Sequence, residues 1–192
     1  MCAYRMHKAE IIEEINQGNF YLRKISHKDV DFIHESLKGS SLTKFLSLGP
    51  LSSRDHAKKL IKNYLDYWTD KIQFNYIIEI HDSDDDYKKT KKIGSISVWG
   101  ISWLHKRAEI GIWINTKYWN QGFAQKALSL IKIVSFHHLK LHRLEAHIAE
   151  ENTKSIYIFK KSGFKEEGTL KEYLFLDGKF HDAVLLAYLK IS

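Results

Sequence analysis

Cysteine and proline each occur once in this 192-residue chain, and a long apolar run does not occur at all. The lone Cys2 cannot close an internal disulfide. Near a chain end it also lacks the structured pocket that activates a thiol, so thiol catalysis is not expected. No stretch approaches the roughly 18 consecutive apolar residues of a membrane span. Met1 to Glu10 carries Arg5, His7, Lys8 and Glu10 in place of an apolar signal core, so export is not expected either. There is no Pro/Gly-rich linker, no repeat and no low-complexity tract. The chain therefore reads as a single cytoplasmic domain over residues 1–192, with 1–18 as an N-terminal extension. A Gly-x-x-x-x-Gly-Lys-Ser/Thr run is also missing, which disfavours a nucleotide-hydrolysing loop.

What is present is a basic surplus. Lys and Arg number 30 against 23 Asp and Glu, giving a net charge of +7 that favours an anionic ligand or partner. The exception is Asp82-Ser83-Asp84-Asp85-Asp86, followed by Lys88, Lys89, Lys91 and Lys92. This block reads as a solvated hairpin loop, with a cation-collecting lip for an amine substrate as the sharper alternative. His137, His138, His142 and His147 invite a zinc reading, but no cysteine or clear carboxylate completes the set, and His142 and His147 have opposite strand parity; no metal is expected. Trp99, Trp103, Trp113 and Trp119 lie in or beside strand-like runs, which favours core packing over base stacking. Sequence-specific nucleic-acid binding is accordingly not expected.

The periodicity predicts an α/β architecture. Phe20 to Ile25 reads as a strand, and Ser26 with Asp29 as a capping box opening a helix through Val30, Ile33 and Leu37. Ser52 with Asp55 repeats that signature before a helical stripe from Ala57 to Trp68. Phe74 to Ile80, Ile93 to Ile101 and Ala108 to Ile114 are β-branched and aromatic, suggesting three consecutive strands. A helix over Gly122 to Leu139, a strand over Arg143 to Ala149, a helix from Asn152 to Ser162 and two strands around Asp177-Gly178 complete the series. A strand-helix-strand unit embedded among other strands implies a mixed sheet.

Two junctions carry the chemistry. In Tyr118-Trp-Asn-Gln-Gly-Phe-Ala124, a cap at Asn120 would leave the amides of Gln121 to Ala124 without intrahelical partners, an arrangement that binds phosphate. Gly122 would allow close approach, and Ala124 would leave room beside the sheet. In Glu151-Asn-Thr-Lys-Ser155 and Phe159-Lys-Lys-Ser-Gly-Phe164, Asn152 suits a helix N-cap, Gly163 a left-handed C-cap and Phe164 the contact after it.

The string from AEIGIWI through YWNQGFAQKAL to HRLEAHIAEENTKSIYIFKKSGFKEEGTLKEYLFLDGKFHD resembles the acetyl-CoA-dependent GNAT N-acetyltransferases, and within them the RimJ/RimL type that acetylates ribosomal-protein N-termini. The resemblance runs from about Phe20 to the C-terminus. It implies a mixed, mostly antiparallel sheet of about seven strands flanked by about four helices. It also implies acetyl-CoA as cosubstrate, with backbone pairing to pantetheine at Ile112, Trp113 and Ile114, a pyrophosphate cradle at Gln121, Gly122, Phe123, Ala124 and Gln125, and a contact at Asn152. The first position of the family's Gln/Arg-x-x-Gly-x-Gly/Ala pattern is Trp119 here, so that pattern supplies no cation. The tyrosine that many members use as acid is replaced by Phe159, while Ser155 matches the hydroxyl used in the RimJ/RimL group. The glutamate base of the RimL pattern falls at Leu174. Glu109 and Glu172, the latter read as sharing a strand face with Leu174, are the candidate bases.

Direct acyl transfer needs a neutral amine, a polarised carbonyl and a protonated leaving thiolate. A lysine-like amine near pKa 10.4 is neutral in about one molecule in 2,500 at pH 7, a cost of about 4.6 kcal/mol, against about 1–1.4 kcal/mol for an α-amine. With the base uncertain, this favours a peptide N-terminus, on a ribosomal protein or the ribosome, over a polyamine or aminoglycoside-like amine. A base acting through water would overturn that preference. A non-catalytic CoA-binding module is the other class, against which the retention of Ser155, Glu109 and Asn152 argues. A homodimer is compatible with the resemblance.

Overall fold

The computed structural model describes residues 9–81 and 90–190. Within them an eight-stranded sheet runs in the order β1-β2-β3-β4-β5-β6-β8-β7. Its strands are β1 (Glu14–Gln17), β2 (Phe20–Lys24), β3 (Phe74–His81), β4 (Thr90–Ser102), β5 (Arg107–Ile114), β6 (Arg143–Ala149), β7 (Lys165–Leu176) and β8 (Lys179–Leu189). The helices are α1 (Val30–Leu37), a single turn α2 (Ser40–Thr43), α3 (Arg54–Thr69), α4 (Phe123–Ile133) and α5 (Thr153–Lys161). Every strand pair is antiparallel except β5 with β6. The mixed, mostly antiparallel α/β fold expected from the sequence is therefore the fold found. The Asp82 to Asp86 block lies outside the described residues.

Three local expectations are corrected. The eighth strand is β1, inside the expected N-terminal extension; its burial is too slight to leave a hydrophobic signal, and pairing with β2 defines it. The cap of α3 is Ser53, whose hydroxyl accepts from the His56 amide at 3.1 Å, so the helix begins one residue later than a Ser52 cap implies. The helix expected to run to Leu139 changes to a π-helical turn at Val134–His138.

Two apolar clusters hold the layers together. One places Ala127, Leu128, Leu130 and Ile131 of α4 against strand residues such as Phe74, Val98, Ile110 and Leu144. The other packs Val30, Ile33 and Leu37 of α1 and Ala57 and Ile61 of α3 on Ile77, with Trp113 beside them. At the start of α1 the capping box forms, the Ser26 amide donating to Asp29 Oδ2 at 2.8 Å. Asp29 is fully buried and is met by Arg23 at 2.9 Å and Lys92 at 2.6 Å, with Glu79 also on Arg23 at 2.6 Å.

Burial alone would raise the Asp29 carboxyl, but hydrogen bonds from Arg23 and Lys92 outweigh it and hold the group below the usual carboxylate range. A depressed native pKa contributes stability above the unfolded value of about 3.9, and that contribution disappears as pH falls through the native value. Asp29→Asn should therefore lower stability near pH 7 and flatten the acid-side loss below about pH 4. Urea titrations of both proteins at pH 7 and pH 3 check this, and parallel pH dependences would contradict it.

Candidate active site

The parallel pair at the sheet centre opens into a wedge. β5 and β6 are in register only at Arg107↔Arg143, Ala108↔Leu144 and Glu109↔Glu145. Beyond that point β5 continues to Ile114 and β6 to Ala149 without pairing each other, while their outer edges stay fully paired with β4 and β8. The Asn115 amide donates to Ile93 O at 2.8 Å, so by alternation Trp113 turns its backbone toward β4 while Ile112 turns its own toward the wedge, where it is available to an extended ligand. The carbonyl of Ile114 is already engaged, accepting from Trp119 Nε1 at 2.6 Å.

The start of α4 lies beyond the end of β5. The helix cap is Gly122, not Asn120: Gly122 adopts φ 78°, ψ 0°, and Asn120 is itself left-handed at φ 58°. The sequence suggested Asn120 because its side chain could cap, but no side-chain cap forms, and the left-handed turn carries the chain into the helix. The Lys126 amide donates to Gly122 O at 3.2 Å, closing the first turn. The amides of Phe123, Ala124 and Gln125 therefore precede the intrahelical ladder and carry the partial positive charge of the helix start. The Gln121 side chain is tied down, donating to Lys117 O at 3.2 Å.

Cations that the sequence pattern did not reveal stand around this turn. Lys154 of α5 lies over the Trp119 ring at 5.4 Å, Lys117 over Tyr118 at 5.1 Å and Lys126 over Phe123 at 5.9 Å. A lysine from another helix thus stands beside Trp119, the position where the family pattern has arginine or glutamine. Trp119 and Trp99 remain 41% exposed, which corrects their expected place in the core; Trp113 packs on Phe32 at 5.7 Å.

On the far side of the wedge, Asn152 caps α5 by accepting from the Ser155 amide at 3.4 Å. This fixes the Ser155 backbone in the first turn and leaves its half-buried hydroxyl out of the capping bond. Gly163 at φ 92° and the Phe159–Phe164 ring contact at 5.1 Å end the helix in the expected left-handed manner. Phe159 is 2% exposed and belongs to the core.

Glu109 is the last β5 residue paired with β6, and its Oε2 lies 2.8 Å from His147 Nδ1 on β6. His147 in turn stacks on Tyr173 of β7 at 4.7 Å. Burial, then the charges of Glu109 and Glu145, push the Tyr173 phenol above its ordinary pKa, against Arg107. In the sequence His147 stands out only as a zinc candidate. Its place beside Glu109 depends on the β5–β6 register, which no local sequence pattern carries. Among the described residues no group of three or more His, Cys, Asp or Glu side chains could hold a metal ion, and no helix is long and apolar enough to cross a membrane.

Glu172 is placed differently from the regular-strand reading. β7 bulges between Leu170 and Leu174, and Glu172 adopts φ 51° within the bulge, its amide donating to Asp182 Oδ1 at 2.9 Å. The bulge breaks the alternation on which a shared face with Leu174 depends. Its side chain is exposed.

Residues 19–165 match the family model for the acetyltransferase (GNAT) domain. The chain is 28% identical over 161 residues to the spermidine N(1)-acetyltransferase of Vibrio cholerae serotype O1, covering 84% of this chain and 87% of that one. A crystal structure of a Vibrio cholerae spermidine N-acetyltransferase with CoA and spermine superposes with a TM-score of 0.77 at 26% identity, over 89% of this chain and 95% of that one. A Vibrio cholerae protein provisionally described as a ribosomal-protein-serine acetyltransferase gives a TM-score of 0.78 at 17% identity, over 92% and 97% of the two chains; that likeness concerns the fold alone.

Proposed function

The chain belongs to the acetyltransferase (GNAT) domain family and is an acetyl-CoA-dependent N-acetyltransferase, and from that premise we propose that its acceptor is a primary amine of a small polyamine of the spermidine kind. The observation that carries the reading is the match to spermidine acetyltransferases over most of the length of both chains, which outweighs the RimJ/RimL resemblance seen in the sequence. The cofactor assignments at Ile112, Trp113, Ile114, Gln121 to Gln125 and Asn152 remain part of the proposal. The wedge and the α4 amides suit a pantetheine arm and a pyrophosphate, and Lys154, Lys117 and Lys126 supply cations nearby.

The protonation cost that favoured an α-amine rested on an uncertain base. Glu109 with His147 beside it supports a proton-accepting group at the wedge, which removes the main objection to an amine of higher pKa. Carboxylates beyond the end of β6 add to the case. The Glu150 amide donates to Asp182 O at 3.0 Å and the Glu172 amide to Asp182 Oδ1 at 2.9 Å, which brings these acidic residues close together; Asp182 is paired with Lys171 at 2.7 Å and Glu151 with His181 at 3.0 Å, partners that an ammonium group of a polycation would replace. In this reading Ser155 donates toward the departing sulfur, the amine proton leaves toward the Glu109–His147 pair, and Glu172 belongs to the acidic group at the bulge.

Kinetics with acetyl-CoA test the acceptor class, with thiol release as the readout. Spermidine should be acetylated with kcat/KM at least about tenfold above that for ribosomal-protein N-terminal peptides, the scale of about 1.4 kcal/mol in transition-state binding. The reverse ranking would return the RimJ/RimL reading.

A further inference from the structure

The Glu109–His147 pair has the arrangement of a carboxylate that orients an imidazole. One carboxylate oxygen lies 2.8 Å from Nδ1, and the ring lies on Tyr173 at 4.7 Å. The imidazole is thus held at one nitrogen and on one face. Its side chain is only 9% exposed, and among the described residues Nε2 makes no hydrogen bond. His147 stands two positions past Glu145, the last β6 residue in register with β5, so the ring is placed where the wedge begins to open.

We propose that His147 is the catalytic base and that Glu109 is its positioning residue, a refinement that rests on the acetyltransferase reading above. An ionised carboxylate facing Nδ1 favours the tautomer in which Nδ1 carries the proton, since that N–H can donate to Glu109 while a lone pair there would face negative charge. Nε2 then holds the free electron pair. As a class, an imidazole is also better suited to proton removal near neutrality than a carboxylate. The same division of labour recurs wherever a buried carboxylate holds a catalytic histidine.

The chemistry balances as follows in atoms and electrons. An acceptor arriving as an ammonium gives one proton to Nε2, which frees the nitrogen pair. That pair forms the C–N bond to the thioester carbonyl carbon, and the C–S bond breaks with its electrons going to sulfur. The nitrogen loses a second proton and the sulfur gains one through the Ser155 hydroxyl, giving amide and thiol. The imidazolium then returns its proton to water, so each turnover releases one proton. Glu109 faces the ring at 2.8 Å. Also on this side are Glu145, neutralised by Arg107 at 3.3 Å and Arg143 at 2.5 Å, and the Tyr173 phenol. The β8 residue in register with His147 is the apolar Leu185.

Two measurements on the full chain decide this. Nitrogen-15 spectra of the neutral imidazole should show the proton on Nδ1, with that preference lost in Glu109→Gln; a predominant Nε2–H form in the wild-type chain would overturn the proposal whatever the acceptor is. In steady-state kinetics, His147→Gln, which keeps a donor to Glu109 but no base, should lower kcat about 10²-fold with little change in KM for acetyl-CoA and should remove the acid limb of the rate profile. Added imidazole should restore part of the rate in His147→Ala. A uniform loss with an unaltered pH profile and no imidazole rescue would reduce His147 to packing. Failure of wild type to acetylate spermidine, with CoA binding and the Nδ1 tautomer intact, would sink the acceptor class and leave the base assignment standing.

Discussion

Replacing Gly122 by valine is expected to weaken acetyl-CoA binding by about 10²-fold, or about 2.7 kcal/mol, while the chain stays folded. The reason is conformational. At φ 78° a side chain with Cβ, and a branched one above all, carries a penalty of roughly 1–2 kcal/mol or more, which the backbone relieves by turning out of the left-handed region. That turn is what aims the amides of Phe123, Ala124 and Gln125, so its loss scatters the donors. A Cβ at this position meets nothing within 4 Å, so no clash propagates into the core. Ala127, Leu128, Leu130 and Ile131 still anchor α4. Calorimetric titration with acetyl-CoA beside a thermal melt separates the two effects. Gly122→Asn, which tolerates the left-handed region better, should lose less. Wild-type affinity in a folded Gly122→Val protein would remove the cradle from the start of α4.

The contrast between Gly122 and Asn120 shows where sequence reading works and where it stops. Local signals are additive and short-ranged: the β-branched and aromatic run at Ala108 to Ile114, the capping box at Ser26 and Asp29, and the Asn152 and Gly163 boundaries of α5 all appear in the structure. The α4 start was misplaced because Asn120 and Gly122 can each end a turn, and the choice between them is made by backbone geometry rather than by residue type. Register is harder still. That β5 and β6 separate after Glu109↔Glu145 depends on the pairing of four strands, and only this separation brings His147 to Glu109. Lys154 over Trp119 likewise joins segments that no single periodic pattern connects. The bulge at Glu172 illustrates the opposite failure, in which regular parity was extended through residues where the strand is not regular.

Ser155→Ala should lower kcat by about 10²–10³-fold and leave acetyl-CoA affinity nearly unchanged, within the range for a positioned acid. The hydroxyl is available because the cap of α5 is completed by the Asn152 side chain and the Ser155 amide, at 3.4 Å, without Oγ. The same first turn carries the positive end of the helix, which stabilises negative charge on a departing sulfur before the proton arrives. Two aromatic residues on α5 do not provide the acid instead: Phe159 has no hydroxyl and is buried, and the phenol-bearing Tyr157 is 63% exposed, with Lys161 over its ring at 5.9 Å. Tyr157→Phe should therefore retain wild-type turnover. Because alanine is compatible with a helical first turn, Ser155→Ala keeps the Asn152 cap, and a binding titration should show this directly. Full turnover in Ser155→Ala would mean that the thiolate leaves unprotonated, with α5 contributing only its helix-end charge; a matching loss in Tyr157→Phe would move the acid to the phenol.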